Sequence, residues 1–511
     1  MCYFLLPTET DIKMPELQLI AQATRHGDST AVIASGESYT YNQILASSAT
    51  LAGRLLDGDH DLNEARVAYL IPAGFEYVVT QWAIWRAGGI ALPLSLSATE
   101  PELEYALTDS EVATVVVVTS AVPSVQGLCD RLGLKLLNVG SDATTTPPPA
   151  LPEVAPSRRA MILYTSGTTN KPKGVVTTHA TIQAQIKTLV EAWHWQEDDT
   201  IPLFLPLHHI HGIINIMSCA LWTGATVEAF PAFHMTTILN RIADNAYSVF
   251  MAVPTIYVKL IQHLSSLSPD DRKPVVDGFA AMRLMISGSA ALPASVHQQW
   301  TALTGQKLLE RYGMTEIGMG LSNPYAAERR PGMVGQALPG VDIRLKSETG
   351  DIVEAEGEAG EIQVRGPNVF SEYYNRPKVT TQSFDDGWFR TGDIAVVEDG
   401  YYRIMGRLSV DIIKSGGYKL SALEIEATLL QHDLICECAV VGVLDDTWGE
   451  IVAAAVVLED GQYLNLDDLT AWCGACLSKY KTPRRLLVVD CLPRNAMGKV
   501  TKPDVKKLFT C

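Results

Sequence analysis

The stretch Tyr164–Gly174, YTSGTTNKPKG, directly follows the apolar run AMIL and decides the fold class. It holds four Ser or Thr hydroxyls, two glycines and two lysines in eleven residues. Hydroxyls, exposed backbone N–H groups and lysine charges that converge in this way form an anion cradle, which suits a polyphosphate. The P-loop NTPase pattern is excluded, because Pro172 stands where its second glycine belongs. Taken alone, the segment also fits a flexible surface loop.

The residues around this loop predict an α/β fold. Short apolar runs such as ARVAYLI and TVVVVTS flank the helical pattern YVVTQWAIWRAGG, which indicates a parallel sheet covered by helices. After about residue 331, short strands with Gly and Asp turns predict a small β-barrel-like unit. We expect a large N-terminal domain over 1–406, with two α/β sheet subdomains and this β subdomain, and a smaller α+β C-terminal domain over 407–511.

Composition narrows the class of protein. The 511 residues are 47% hydrophobic and carry a formal net charge of −17, which argues against a nucleic-acid binder with a basic face. The pair Cys473 and Cys476 lacks the second pair that a zinc site needs. No apolar run reaches the ~20 residues of a membrane span, and the N-terminus lacks an Arg-rich presequence. We therefore expect a cytoplasmic protein whose partners are small molecules.

The loop resembles the phosphate loop of the acyl-adenylate-forming enzymes, a superfamily that includes acyl-CoA synthetases, firefly-luciferase-like enzymes and peptide-synthetase adenylation domains. Asn170 replaces a glycine that is usual there. Further segments resemble the superfamily's other motifs in the same order, namely PLHHIHG (206–212), SGSAALP (287–293), YGMTE (312–316), WFRTGD (388–393), GRLSVDIIKSGG (406–417) and PRNAMGK (493–499).

The resemblance implies a two-step ligase that uses ATP, Mg²⁺ and CoA. A carboxylate attacks the α-phosphate of ATP to give an acyl-adenylate and pyrophosphate, and a thiol then displaces AMP. Glu316 is the implied Mg²⁺ ligand, which fits the preference of Mg²⁺ for one or two carboxylates plus phosphates and water. The implied catalytic residues are Lys499, Thr315 and His209. The implied ATP-binding residues are Thr165, Ser166, Gly167, Thr168, Thr169, Lys173, Gly288, Ser289, Ala290, Tyr312, Gly313, Met314, Asp393 and Arg407.

In this superfamily the C-terminal domain rotates between the two half-reactions. The resemblance therefore implies a hinge near 407–411, at Ser409, and a lysine, Lys499, that enters the site only for adenylation. Gly416 and Gly417 would line the tunnel of the CoA thiol. Three histidines in HHIHG raise the alternative of a zinc site, but no carboxylate ligand accompanies them.

Arg311 precedes YGMTE, where most relatives carry an apolar or small residue. A buried guanidinium without a partner is unfavourable, whereas a substrate carboxylate would pair with it. Here the chain resembles the malonyl-CoA and methylmalonyl-CoA synthetases, which implies a short dicarboxylate substrate with Ser287 and Lys259 as further contacts. The alternative is an internal pair of Arg311 with Glu310, Glu316 or another acid of the chain.

Other functions on this scaffold stay open at this point. They are ligation of another short carboxylic acid, amino-acid adenylation and a non-catalytic nucleotide sensor. Malonate and methylmalonate are not separated, because one methyl group is worth only ~1–3 kcal/mol in a pocket. The resemblance also makes a mitochondrial location the alternative to the cytoplasm.

Overall fold

The computed structural model describes residues 17–140, 150–165, 172–415, 418–445, 447–494 and 500–509. The chain divides into two compact units. The first comprises Met1–His234, Tyr247–Val249 and Pro367–Thr380, and the second comprises Met235–Ala246, Phe250–Gly366 and Thr381–Cys511. Within the described ranges, none of the helices combines the length and hydropathy that crossing a bilayer requires.

The first unit contains two sheets. The strands of the larger one, in spatial order, are β18 (Glu372–Tyr373), β8 (Lys173–Thr178), β7 (Arg159–Thr165), β4 (Ile90–Pro93), β3 (Arg66–Leu70), β5 (Thr114–Val117) and β6 (Lys135–Asn138). The smaller one has the order β2 (Glu37–Thr40), β1 (Thr30–Ala34), β10 (Thr226–Ala229) and β9 (Thr200–Leu203). Strands β3 to β7 pair in parallel, which confirms the predicted α/β character.

The helices of the first unit begin and end where local signals favour it. They are α1 (Gln18–Ala23), α2 (Tyr41–Leu56), α3 (Phe75–Arg86), α4 (Glu100–Asp109), α5 (Val122–Leu132), α6 (His179–Ala192), a π-helical segment (His211–Ser218) and α7 (Cys219–Thr223). Thr40 and Gln43 form a capping box at the start of α2, and Thr178 caps α6. The central strands are apolar because helices cover both faces of the sheet.

The second unit contains three sheets. A mixed sheet has the order β11 (Val249–Ala252), β12 (Leu284–Ser287), β13 (Leu309–Met314), β14 (Gly318–Ser322) and β15 (Gln336–Ala337). The predicted small β unit is a five-stranded antiparallel sheet of β16 (Asp342–Lys346), β17 (Gly360–Arg365), β19 (Phe384–Asp385), β20 (Trp388–Glu398) and β21 (Tyr401–Arg407). The helices that precede this antiparallel sheet in the chain are α8 (Met235–Ala243), α9 (Pro254–Ser266), α10 (Pro269–Ala281) and α11 (Ala294–Thr304). A further helix, α12, spans Pro377–Gln382.

The C-terminal part of the second unit folds as α+β. Its sheet joins β22 (Ile412–Ser415), β23 (Tyr418–Ser421), β24 (Ile435–Asp445), β25 (Gly449–Leu458) and β26 (Arg485–Val488). Helices α13 (Ala422–Leu429) and α14 (Leu466–Cys476) pack on one face, and α15 (Lys502–Lys507) packs on the other. The boundary at residue 406 stays a prediction, because the two compact units divide the chain elsewhere.

Candidate active site

The hairpin of β13 and β14 carries Tyr312, Gly313 and Met314, three of the predicted nucleotide residues of the second unit. Residues 315–317 form its turn, with Thr315 half-buried and Glu316 buried. A Cβ at Gly313 would lie 2.0 Å from the carbonyl oxygen of Gly318 and 2.5 Å from Met319 Cε, so only glycine allows the strands to close here. This close approach explains the glycine of YGMTE and holds Met314, Thr315 and Glu316 at the tip.

A carboxylate on the neighbouring antiparallel sheet binds this hairpin. Asp393 Oδ2 accepts a hydrogen bond from the hydroxyl of Tyr312 at 2.6 Å, and Oδ1 accepts one from Arg407 Nε at 3.0 Å. Burial, followed by the charge of Asp393, raises the pKa of Tyr312 well above its usual value. For Arg407, burial disfavours the charged form, but the interaction with Asp393 outweighs the effect of burial and raises the pKa. The structure thus brings together Tyr312, Asp393 and Arg407, three of the residues predicted to bind the nucleotide.

Arg311 is buried within the second unit and contrasts with Arg407. Among the described residues, its Nε and Nη2 atoms have no hydrogen-bond partner. Burial lowers the pKa of this guanidinium to about 9. Its neighbour Glu310 accepts a hydrogen bond from the backbone N–H of Gly332 at 3.0 Å, and consecutive strand residues point to opposite faces. The alternative in which Arg311 pairs with Glu310 therefore has no support in this geometry.

The end of β12 forms the surface against which the guanidinium lies. A Cβ at Gly288 would lie 2.5 Å from Arg311 Cζ and 2.6 Å from Nε, so the two residues are in close contact. Ser287 is fully buried, and its hydroxyl has no partner among the described residues. Ser289, at φ +69°, and Ala290 follow as exposed residues. The predicted adenine segment after β12 and the predicted carboxylate-binding arginine on β13 are thus in contact.

Lys259 is not placed with this group. It lies exposed on α9, whereas Tyr257 on the same helix is buried and donates a hydrogen bond to the carbonyl oxygen of Ile286 on β12. Two residues correspond to about 200° around a helix, so Lys259 points away from β12. We therefore correct the expectation that Lys259 contacts the distal carboxylate.

The predicted phosphate residues lie in the first unit. Thr165 ends β7 and pairs in register with Lys173, which begins β8, so the two strands support the two ends of the phosphate loop. Lys173 Nζ lies 4.6 Å from the centroid of the Tyr373 ring, a cation–π contact within the same unit. Ser166, Gly167, Thr168 and Thr169 lie outside the described residues.

His209 also lies in the first unit, just before the π-helical segment. Its ring centroid is 4.1 Å from that of His208, and burial lowers the pKa of His208. The carbonyl oxygen of Leu207 accepts a hydrogen bond from the Tyr77 hydroxyl at 2.6 Å, which holds the start of this segment. Among the described residues, no group of three His, Cys, Asp or Glu side chains is arranged to hold a metal ion.

Comparison with known proteins assigns the family. The model of the AMP-binding enzymes matches residues 19–374, and that of the AMP-binding enzyme C-terminal domain matches residues 424–499. The chain belongs to the AMP-binding enzyme family. It is 42% identical to the mitochondrial malonate–CoA ligase ACSF3 of Mus musculus, over 98% of this chain and 92% of that relative.

Two further similar proteins come from Arabidopsis thaliana and Rhodopseudomonas palustris. A malonate–CoA ligase of Arabidopsis thaliana is 37% identical over 95% of this chain and 87% of its own length. The crystal structure of ATP-bound MatB from Rhodopseudomonas palustris matches with a TM-score of 0.86 and 33% identity, over 96% of this chain and 99% of that one. The similarity to these proteins of the AMP-binding family extends over nearly the whole chain.

The remaining residues predicted for this AMP-binding enzyme lie near its C-terminus. Ser409 is exposed in a turn over 408–411 that follows Arg407. Lys499, Gly416 and Gly417 lie outside the described residues, so their assigned roles stay predictions. The sequence reading missed Asp411 and Lys502, although Asp411 lies in the quoted segment GRLSVDIIKSGG. An acid two residues after the expected hinge is the sequence signal that could have indicated Asp411.

Proposed function

We propose that this AMP-binding enzyme is a malonate–CoA ligase, an AMP-forming acid–thiol ligase that uses ATP, Mg²⁺ and CoA. The names of the mouse and Arabidopsis relatives support the reaction and the acid. The observation that carries the choice of acid is Arg311, a buried guanidinium with two nitrogen atoms that lack partners among the described residues.

Arg311 selects the substrate by charge. A cation in this position destabilises the folded protein unless an anion pairs with it, because burial removes its hydration. A carboxylate matches the planar fork of arginine and binds it through two parallel hydrogen bonds. The acid must also present a second carboxylate for activation, so the substrate is a short dicarboxylate. Ser287, with a buried hydroxyl, is the second proposed contact to the distal carboxylate.

The remaining residues of the second unit serve any acid. Asp393 accepts from the ribose hydroxyls while Arg407 and Tyr312 fix its orientation, and Tyr312 and the turn at Gly288 to Ala290 bound the adenine. Thr315 donates a hydrogen bond from its hydroxyl to the α-phosphate. One buried carboxylate at the hairpin turn suits Mg²⁺, so Glu316 would hold that ion, which neutralises phosphate charge when bound.

The first and second steps need different groups. The hydroxyls of the phosphate loop and Lys173 hold the β- and γ-phosphates while the malonate carboxylate attacks the α-phosphorus atom, and Lys499 stabilises the charge that develops there. Rotation at Ser409 then removes Lys499 and brings Gly416 and Gly417 to the CoA thiol, which displaces AMP. His209 keeps the catalytic role that the family resemblance implies for it.

The compartment is a separate proposal. The vertebrate relatives are named mitochondrial proteins, which supports the mitochondrial alternative over the cytoplasmic expectation drawn from composition. Fractionation of cells that express the full chain distinguishes the two, since a mitochondrial protein co-sediments with the organelle and resists added protease.

A panel of acids tests the function. Purified protein is mixed with ATP, Mg²⁺, CoA and one of malonate, methylmalonate, succinate, acetate or octanoate, and both pyrophosphate and the CoA ester are measured. We expect malonate to give the highest kcat/KM, with methylmalonate within about 10- to 100-fold of it. A preference for octanoate or acetate would overturn the assignment of the acid. Absence of pyrophosphate release with every acid would instead indicate a nucleotide sensor.

A further inference from the structure

Lys502 forms a buried cluster of three charges in the C-terminal part of the second unit. It is the first residue of α15, and its Nζ lies 2.5 Å from Asp411 Oδ1 and 2.8 Å from Glu426 Oε1. All three side chains are largely buried, with exposures of 13% for Lys502, 13% for Asp411 and 15% for Glu426. Burial opposes the charge of Lys502, but the two carboxylates outweigh it and raise its pKa.

Asp411 connects this cluster to the residues proposed to bind ribose. Its second oxygen, Oδ2, accepts a hydrogen bond from the backbone N–H of Arg407 at 2.9 Å. The side chain of Arg407 in turn binds Asp393. The backbone N–H of Asp411 also donates to the carbonyl oxygen of Arg407 at 2.8 Å, which closes the turn around Ser409. One carboxylate therefore bridges the two sides of the expected hinge.

Lys502 also adjoins the segment that carries Lys499. Arg494 and Val500 pair as an isolated antiparallel bridge, and the N–H of Thr501 donates to the carbonyl oxygen of Pro493 at 2.9 Å. These contacts join the residues on either side of 495–499, which we call the base of that segment, and Lys502 follows Thr501 directly in the chain. The base of this segment is thus connected through Lys502 to the turn at Ser409.

We infer that Lys502 is a positioning residue for adenylation, which joins the hinge turn through Asp411 to the base of the segment that carries Lys499. This inference rests on the proposed function. Without the ammonium group, two carboxylates would face each other in a buried site, so Asp411 would leave its place. Lys499 would then lose its alignment with the α-phosphate, and a misplacement of ~1 Å costs about 100-fold in rate. Attack of the CoA thiol does not need Lys499 and would be spared.

The two half-reactions measured separately test this inference in the full chain. For Lys502→Met we expect malonate-dependent ATP–pyrophosphate exchange to fall about 10- to 100-fold. Formation of malonyl-CoA from supplied malonyl-AMP and CoA should stay within about threefold, because Lys499 takes no part in it. Lys502→Arg keeps the charge and should restore most of the exchange activity.

Lys506→Met is the matched control. Lys506 lies on the same helix and pairs with Glu450 Oε1 at 3.1 Å rather than with Asp411 or Glu426. It should leave the ratio of the two half-reactions unchanged. Asp411→Asn provides a second variant if Lys502→Met does not fold, and it should reproduce the selective loss of exchange.

The outcomes separate this inference from the proposed function. Equal loss of both half-reactions in Lys502→Met and Asp411→Asn, or no loss in either, would refute the positioning role. If the unmodified protein shows no malonate-dependent exchange but activates another acid, the choice of malonate is wrong, and the same comparison with that acid still decides the role of Lys502.

Discussion

Two arginines of the second unit, Arg311 on β13 and Arg407 at the end of β21, occupy opposite electrostatic situations. Arg407 binds Asp393 at 3.0 Å, and its pKa is raised although the site is partly buried. The Nε and Nη2 atoms of Arg311 have no partner among the described residues, and burial lowers its pKa to about 9. The comparison separates Arg407, whose partner is an internal carboxylate, from Arg311, whose proposed partner is a carboxylate of the substrate.

The same contrast separates the general and the selective functions of the proposed site. Arg407, Asp393 and Tyr312 bind one another, so they are organised before any ligand arrives. Such preorganisation suits ATP, the proposed ligand that stays the same whichever acid is activated. Among the described residues, Arg311 packs against Gly288 and has no counter-charge, so in the proposed function its electrostatic energy depends on the acid that binds.

Arg311→Ala should give the largest effect. We expect kcat/KM for malonate to fall by about two to four orders of magnitude, since breaking a buried ion pair costs roughly 3–5 kcal/mol. The KM for ATP should change little, because the hydrogen bonds that join Tyr312, Asp393 and Arg407 do not involve Arg311. Thermal unfolding should occur at the same or a higher temperature, since the variant removes a charge that burial disfavours.

Arg365→Ala is the control for this variant. Arg365 is an exposed arginine on β17 that pairs with Asp342 at 3.0 Å, and an exposed ion pair contributes only about 0–1 kcal/mol. It should leave both kcat/KM and stability nearly unchanged. Unaltered use of malonate in Arg311→Ala would show that the two arginines do not differ in the proposed way.

Gly288→Ala should give the second largest effect and tests the contact beneath the guanidinium. The added methyl would lie 2.5 Å from Arg311 Cζ, so the side chain must move. Overpacking of this kind costs typically about 1–3 kcal/mol, which corresponds to a loss of roughly 5- to 150-fold in kcat/KM for malonate. The double variant Gly288→Ala/Arg311→Ala should be no worse than Arg311→Ala alone. Additive losses would mean that Gly288 acts independently of Arg311, for example through adenine.

The sequence was sufficient for the fold class, and it gave candidate site residues whose roles stay predictions. Alternating apolar runs predicted the parallel sheet, and the motifs identified Asp393 and Arg311 by their place in the family order. The pairing of charges was not predictable, because it depends on distances between strands far apart in sequence. Asp393 lies 81 residues from Tyr312, and Lys502 lies 91 residues from Asp411.

The expectations for Lys259 and Glu310 failed for the same reason, because neither depends on sequence neighbourhood alone. Lys259 was assigned to the acyl site from its sequence neighbourhood, but the orientation of α9 is set by Tyr257, which packs toward β12. Glu310 was a plausible partner for Arg311 because it is adjacent in sequence. In a strand, adjacency places two side chains on opposite faces, so the nearest acid in sequence is here the wrong one in space.

Tyr312→Phe should give a smaller effect, confined to the nucleotide. It removes the hydrogen bond of 2.6 Å to Asp393 while keeping the aromatic ring. A hydrogen bond to a charged group contributes about 1.5–3 kcal/mol, but Arg407 still orients Asp393, so we expect the KM for ATP to rise only about 3- to 10-fold. The KM for malonate should be unaffected. An equal rise in both KM values would indicate that Tyr312 and Arg311 do not serve separate ligands.

Glu310→Gln should have the smallest effect on catalysis and tests directly whether Arg311 has an internal partner. Glu310 is buried beside Arg311 in sequence, yet it accepts from the N–H of Gly332, and glutamine keeps an oxygen for that hydrogen bond. We expect kcat/KM for malonate to change less than about threefold, because a neutral acceptor on the opposite face of β13 does not alter the charge near Arg311. A loss as large as that of Arg311→Ala would establish an internal pair and remove the basis for a dicarboxylate substrate.

The stability of Glu310→Gln should nevertheless differ from that of the unmodified protein in its dependence on pH. Burial raises the pKa of Glu310 from 4.5 to about 8, so the folded protein keeps a proton there that the unfolded chain has lost. The stabilisation is fully present below pH 4.5 and is lost as the pH rises toward 8, at up to about 1.4 kcal/mol per pH unit. Urea unfolding at pH 6 and pH 8 measures this difference. The variant should show a weaker decline between these two values, because its amide does not ionise, and an unchanged decline would mean that Glu310 is already ionised in the folded protein.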